Sequence, residues 1–197
     1  GFLSPGGPDE MAVFLEGIDL SGGHVLDLGC GIGGASIMLA DTYGASHVTG
    51  VDVGADLVER AVKAAAAKGL EGKTSFQPVE SGPFPFEDTT FDVVFIKDVV
   101  CHIEDKHAVF AEVGRVLKPG GRLLCADFAD GERVGEAATL YEDWIAAMQA
   151  YGLSFHFEKL NAYTDAYAAA GMGAVSVRDH TELSAAAAKR EVDFVTG

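Results

Sequence analysis

The residues best placed to do chemistry surround one run of glycines, VLDLGCGIGG, from Val25 to Gly34. The run fits two templates at once: Gly29, Gly31 and Gly34 make G-x-G-x-x-G, while Gly29, Gly31 and Gly33 make G-x-G-x-G. Between a strand and a helix, such a turn lets the backbone pass close to a ligand with no Cβ in the way and leaves amide groups facing it. Asp27 stands just before the turn. A carboxylate there accepts hydrogen bonds from a positively charged amino-acid moiety or fixes the loop, whereas beside a pyrophosphate it would add repulsion. Asp52 ends the next apolar run, where an acidic side chain accepts from ribose hydroxyls, a contact that fits either template. Asp27, the turn, Asp52 and the later run FDVVFI, Phe91 to Ile96, form a more specific set than the glycines alone.

These groups are positioned by alternating strand and helix patterns. His24 to Leu28 reads as a buried strand ending at the turn, Ala35 to Tyr43 as the helix after it, and His47 to Val51 as a second strand. Asp56 to Lys68 is helical by period, with Leu57, Val58, Ala61, Val62 and Ala65 on one face, and Gly69 and Gly72 punctuate its end. Lys73 to Val79 and Phe91 to Ile96 follow as strands. A helix over Asp105 to Leu117 turns Val109, Val113, Val116 and Leu117 inward, and the breaker Pro119-Gly120-Gly121 leads into a strand over Arg122 to Phe128. Helices are expected over Ala137 to Tyr151, Leu160 to Ala170 and Thr181 to Arg190, and a strand over Ala174 to Arg178. Regular alternation implies an α/β fold, Rossmann-like and doubly wound, with a mostly parallel sheet whose ligands sit beyond the carboxyl ends of the strands.

Composition narrows the function. The chain of 197 residues is 48% hydrophobic and reads as a single domain. With 14 Lys and Arg against 30 Asp and Glu, the net charge of −16 argues against nucleic acid and anionic membrane surfaces as partners. Cys30, Cys101 and Cys125 lack the spacings of a disulfide framework or zinc site, which suits a reducing, cytoplasmic location. No apolar run approaches the ~20 residues of a membrane span, and no signal-peptide pattern opens the chain. His102 and His107 lack ligand spacing around their acidic neighbours, so no metal is expected.

The motifs VLDLGCGIGG, GVDV (Gly50 to Val53), FDVVF (Phe91 to Phe95) and VLKPGGRLL (Val116 to Leu124) resemble, in order, those of class I S-adenosylmethionine-dependent methyltransferases. The resemblance covers residues 20 to 130. It implies a seven-stranded sheet whose final strand, on the family's pattern, falls past Gly197, with S-adenosyl-L-methionine lying over the glycine turn. It further implies cofactor contacts from Asp27, Gly29, Cys30 and Gly31 at the turn, Asp52 and Val53 at the second strand, Glu80 and Ser81 at the adenine, and Lys97 at the cofactor edge. Glu80 replaces the more usual Asp and keeps its acceptor chemistry. On this reading residues 1–20 are an N-terminal lid, 21–130 the cofactor-binding core, and 131–197 substrate-side helices with a C-terminal strand.

A narrower resemblance joins GFLSPGGPDE, Gly1 to Glu10, and KDVVCHIEDKHAVFAEVGRVLKPGG, Lys97 to Gly121, to the phosphoethanolamine N-methyltransferase group and its bacterial relatives. It implies that Ser4 lies against the cofactor with Leu3 nearby, and that Asp98 and His102 face the substrate amine. Methyl transfer is an in-line displacement at a sulfonium carbon, so the amine must be neutral and aligned. An imidazole titrates near neutrality and can take the proton. His102 is accordingly expected as general base and Asp98 as the carboxylate that orients it or the substrate nitrogen, with a small amine as acceptor. The chain departs from the group at Phe128, where the group carries a tyrosine, and near Gln149 to Tyr151, where it carries an arginine. Tyr141, Trp144, Met148 and Tyr151 recur at helical spacing as either a packed face or an aromatic wall for a methylated ammonium. A C- or O-methyltransferase, a truncated or inactive cofactor-binding domain, and an NAD-dependent oxidoreductase are the alternative readings.

Overall fold

Burial with a period of two builds the sheet. In the central strand β1, His24–Leu28, the side chains of Leu26 and Leu28 enter one apolar cluster while Val25 enters another on the opposite face. In β4, Phe91–Lys97, Val94 and Ile96 join Leu26, whereas Val93 and Phe95 join Val25. A strand apolar on both faces must be covered on both, which is the condition for a parallel sheet between helical layers. The computed structural model describes residues 7–132, 135–150 and 152–186. Its five strands run in the order β3-β2-β1-β4-β5, all pairs parallel, with β2 at His47–Asp52, β3 at Thr74–Pro78 and β5 at Leu117–Ala126.

Helices α1 (Gly7–Phe14) and α2 (Gly34–Asp41) precede and follow β1, and Met11 and Leu39 pack with Val25, Val48 and Phe95. Helix α3, Ala55–Ala66, follows β2 and buries Val58, Ala61 and Ala65. On the other face α4 (Lys106–Val116) and α6 (Leu160–Ala169) bring Phe110, Val113 and Tyr163 onto Leu26, Val94 and Ile96. Gly114 makes that helix pair close: a Cβ there would lie 2.6 Å from the carbonyl oxygen of Ala170. Helix α5, Glu136–Ala150, lies between β5 and α6 in the chain.

The α/β doubly wound architecture is the one the motifs imply, with four differences in detail. Among the described residues the sheet has five strands, not seven. Ala174–Arg178, read as a strand from its alternating valines, is irregular; Val175 and Val177 are about half exposed, so neither face of the segment is covered. The strand β5 starts at Leu117, ahead of the Pro119-Gly120 breaker, because the residues between the pairs Phe91↔Leu117 and Val93↔Arg122 are taken up as an irregularity in its register. Val62, placed on the inner face of α3, is 46% exposed. Residues 7–20 of the expected lid include α1, whose Met11 is fully buried. Residues 181–186 are helical, and the remainder of the helix expected over Thr181 to Arg190 lies outside the described residues, as do Leu3, Ser4 and Tyr151.

Candidate active site

The glycine turn links the carboxyl ends of β1 and β2. Gly29 and Cys30 donate their amides to the carbonyl of Val51 at 2.8 and 2.9 Å, and Gly33 N–H donates to Cys30 O at 2.9 Å. Gly29 needs its missing side chain. It sits at φ +75°, and a Cβ there would overlap the Val99 isopropyl group, with Val99 Cγ1 at 2.9 Å. Only glycine lets Val99 pack onto the turn at this φ.

Asp52 is the knot of this half of the site. Its Oδ2 accepts from Gly31 N–H at 2.8 Å, its Oδ1 accepts from Gly54 N–H at 2.9 Å, and its carbonyl accepts from Val79 N–H at 2.9 Å. The last bond brings the end of β3, and with it Glu80 and Ser81, beside the turn. Glu80 and Ser81 line a cleft of about 300 Å³ together with Val79, Gly82 and Pro83. Val53 is 70% exposed at the same edge. The expectation that the turn leaves its amides facing a ligand is corrected. The amides of Gly29, Cys30, Gly31 and Gly33 are all bonded within the protein, to Val51, Asp52 and Cys30 oxygens. A loop built for pyrophosphate keeps such donors for the anion.

Asp27 is 2% exposed, and Ser36 Oγ of α2 donates to its Oδ2 at 2.5 Å. Burial pushes its carboxyl up to about 6, opposed by the Ser36 hydrogen bonds and reinforced by the nearby Asp52 charge. Cys30 is also buried, and burial raises its thiol well above the ordinary range, so it lines the turn as a small apolar group. The same holds for Cys101, which rules against a thiolate nucleophile there.

Strand β4 delivers the second half. Its last residue, Lys97, is 9% exposed and pairs with Glu10 of α1 at 2.8 Å and with Asp98 at 2.5 Å. Lys97 therefore belongs to a buried ion cluster. Asp98 follows at φ +57°, a left-handed conformation that is unusual without glycine and turns the chain sharply out of the sheet. A single 3-10 turn, Val100–His102, then carries His102. The imidazole Nδ1 lies 2.7 Å from Ser154 O, and the ring packs on Phe155 at 4.5 Å between centroids. A carbonyl only accepts, so Nδ1 carries the hydrogen and Nε2 keeps its lone pair. Ser154 O is thereby placed to orient the His102 ring.

Two residues that the sequence left unassigned hold this turn. Asp127, just past β5, accepts from the amides of Val99, Val100 and Cys101 at 3.0, 2.6 and 3.2 Å, and from Phe128 N–H at 2.8 Å. Lys106 is 5% exposed and donates to the carbonyls of Val100, Ile103 and His156 at 3.4, 2.9 and 2.5 Å. Burial lowers its ammonium, against the attraction of Glu158 and Asp127. Neither is recognisable from local spacing, since their partners lie up to 50 residues away. An acid closing an apolar strand, as Asp52 also does, was the one available signal for Asp127.

Residues 19–171 match the methyltransferase domain family. The chain is 32% identical to phosphoethanolamine N-methyltransferase 3 of Arabidopsis thaliana over 99% of its own length and 38% of that protein's. Phosphoethanolamine N-methyltransferase 2 of Haemonchus contortus, solved in complex with S-adenosyl-L-methionine, superposes with a TM-score of 0.86 at 25% identity, covering 99% of this chain and 44% of that one. The same enzyme solved with phosphomonomethylethanolamine and S-adenosylhomocysteine gives the same TM-score of 0.86. The chain spans about two-fifths of the length of these relatives. Among the described residues no helix is long and apolar enough to cross a membrane. The chain belongs to the methyltransferase domain family.

Proposed function

We propose that this chain transfers a methyl group from S-adenosyl-L-methionine to a small amine, with His102 as the general base. The observation that carries the reading is the pairing of two features at one sheet end: a glycine turn whose amides are engaged internally, and an imidazole with a free Nε2 lone pair. The turn suits a cationic, adenosine-bearing cofactor. Asp27 and Asp52 give it negative charge. Asp52 is held to accept from ribose hydroxyls, with Val53 against the adenine and Glu80 and Ser81 at its edge. The cofactor supplies a methyl carbon on a sulfonium, and the protein supplies alignment and removal of a proton.

His102 Nε2 takes the proton from the incoming ammonium, and the Ser154 carbonyl steadies the imidazolium through Nδ1–H. Asp98, in a cluster with one ammonium and two carboxylates, draws the positively charged amine to the site. The relatives named for phosphoethanolamine support an amine as the acceptor class. Titration calorimetry with S-adenosyl-L-methionine and with NAD, followed by methyl-transfer assays on a panel of amines, tests the reading. S-adenosyl-L-methionine should bind and NAD should not. His102→Ala should lower kcat by about 10²-fold or more while leaving cofactor affinity within about twofold. Binding of NAD in preference, or unchanged turnover in the variant, would refute it.

A further inference from the structure

Beside His102 lies an apolar surface that the transfer chemistry does not require. The Phe155 ring is 4.8 Å from Trp144 and 5.2 Å from Phe157. Phe157 lies nearly parallel to both Phe155 and Trp144, at 20° and 24°, while Trp144 and Phe155 are tilted by 43° to each other. Tyr141 and Phe128 flank Phe157 at 6.2 and 6.4 Å. Trp144 remains 42% exposed and Phe128 46%, although each could bury a large apolar area. The wall is contiguous with His102, because Phe155 packs against its ring at 4.5 Å and a 45° tilt.

Charge at the same place disfavours an anionic acceptor. The ammonium of Lys97 pairs with the carboxylates of Glu10 and Asp98. The Lys106 ammonium has three donors, and they meet three backbone carbonyls. Among the described residues, Lys97 and Lys106 beside this turn are both engaged in structure, where a phosphate would need one of them. An ammonium is favoured by the negative faces of the rings.

We infer that the acceptor is an arylalkylamine, an aromatic ring joined by a short chain to the nitrogen that is methylated. Its ring packs against Trp144 and Phe155, and its nitrogen reaches His102 Nε2. This rests on the methyl-transfer reading above and names its substrate class.

Trp144 is the single tryptophan of the chain, so its emission reports on the wall directly. The full chain, saturated with S-adenosylhomocysteine, is titrated with 2-phenylethylamine, ethanolamine and phosphoethanolamine, and the same three amines are assayed for methylation with S-adenosyl-L-methionine. 2-Phenylethylamine should shift the emission saturably and show a KM about tenfold or more below those of the other two. Trp144→Ala should raise that KM by about tenfold with kcat and cofactor affinity within about twofold, and Trp144→Phe should restore most of the loss. Preference for phosphoethanolamine, an emission unmoved by 2-phenylethylamine, or an unchanged KM in Trp144→Ala would overturn the inference. So would emission that depends on protein concentration alone with a dimer in sedimentation, since a second copy would then cover the wall. Loss of S-adenosyl-L-methionine binding would sink the methyl-transfer reading itself, whereas cofactor binding with turnover of the phosphorylated amine would remove only the arylalkylamine.

Discussion

The two halves of the carboxyl end of the sheet are built by different means. At β1, β2 and β3 the backbone does the work: amides of the glycine turn reach Val51 and Asp52, and Val79 N–H returns to Asp52. Beyond β4 side chains from distant segments do it. Asp127 gathers the amides of 99–101, His102 leans on Ser154, and Lys106 ties the turn to His156. The first half follows from short patterns of glycine and acid, while the second exists only once segments about 26–52 residues apart have met. A cofactor half fixed in this way can serve many acceptor halves, which is why the fold by itself does not name a substrate.

The sharpest way to break the comparison is at the one place where the halves touch. Val99, at the start of the β4 turn, fills the space over Gly29. Gly29→Ala combines a left-handed backbone with a methyl overlap, and should destabilise the fold by about 3 kcal/mol or more. Thermal denaturation should show a fall of about 6–12 °C. Adding Val99→Ala should recover the part due to overlap and leave the part due to φ. A melt within about 2 °C of the parent would mean that the turn yields, and that the halves are not coupled through Val99.

Asp127→Ala should come next, since it strips a charged acceptor from three amides and costs about 2–3 kcal/mol. Its diagnostic is a split. Cofactor affinity should stay within about twofold while the acceptor KM rises, because the disturbed turn carries His102 and not the glycines. Equal losses on both sides would show that the two halves are one unit.

The same division explains what was legible in the sequence. VLDLGCGIGG, GVDV and FDVVFI placed β1, β2, β4 and the glycine turn to within a residue or two, because their burial and backbone needs are local. The strand over Ala174–Arg178 misled because alternation records a capacity to pair, and the described structure puts no partner there. Lys106 was unreadable, as a lysine on the first turn of a helix is ordinarily solvated; it is buried only because His156 crosses above it. The Asp98 carboxylate pairs with Lys97, and the group bonded to His102 Nδ1 is a backbone carbonyl, which carries no sequence signal. Trp144 reads from its spacing as either a packed face or an aromatic wall, and in the structure its ring packs against Phe155 while staying 42% exposed.

A pH experiment sharpens the comparison from the cofactor side. Asp27 titrates near 6 in the fold against 3.8 for an ordinary aspartate, so the folded state binds the extra proton between those values. Stability from the protonated form is complete below about pH 4 and is lost as pH rises through 6, a linkage of about 3 kcal/mol by order of magnitude. Asp27→Asn should flatten this slope and raise stability at pH 7 by about 1 kcal/mol, since Ser36 keeps a partner. If Asp27 faces the cation of S-adenosyl-L-methionine, cofactor affinity of the parent should rise between pH 5 and 7 and that of the variant should not. Parallel affinity curves would reduce Asp27 to a brace for Ser36.

The smallest expected change in stability belongs to Val53, which is mostly exposed at the end of β2. Val53→Ser should alter unfolding by no more than about 0.5 kcal/mol, as surface substitutions do. Its effect on binding should be larger, a loss of about three- to tenfold in S-adenosyl-L-methionine affinity, because an apolar side chain left in water by the fold regains its worth only when an adenine covers it. Calorimetry and denaturation on one sample separate the two numbers. If both are near zero, the adenine lies elsewhere along the cleft at Glu80 and Ser81, and the cofactor half is defined by its backbone alone.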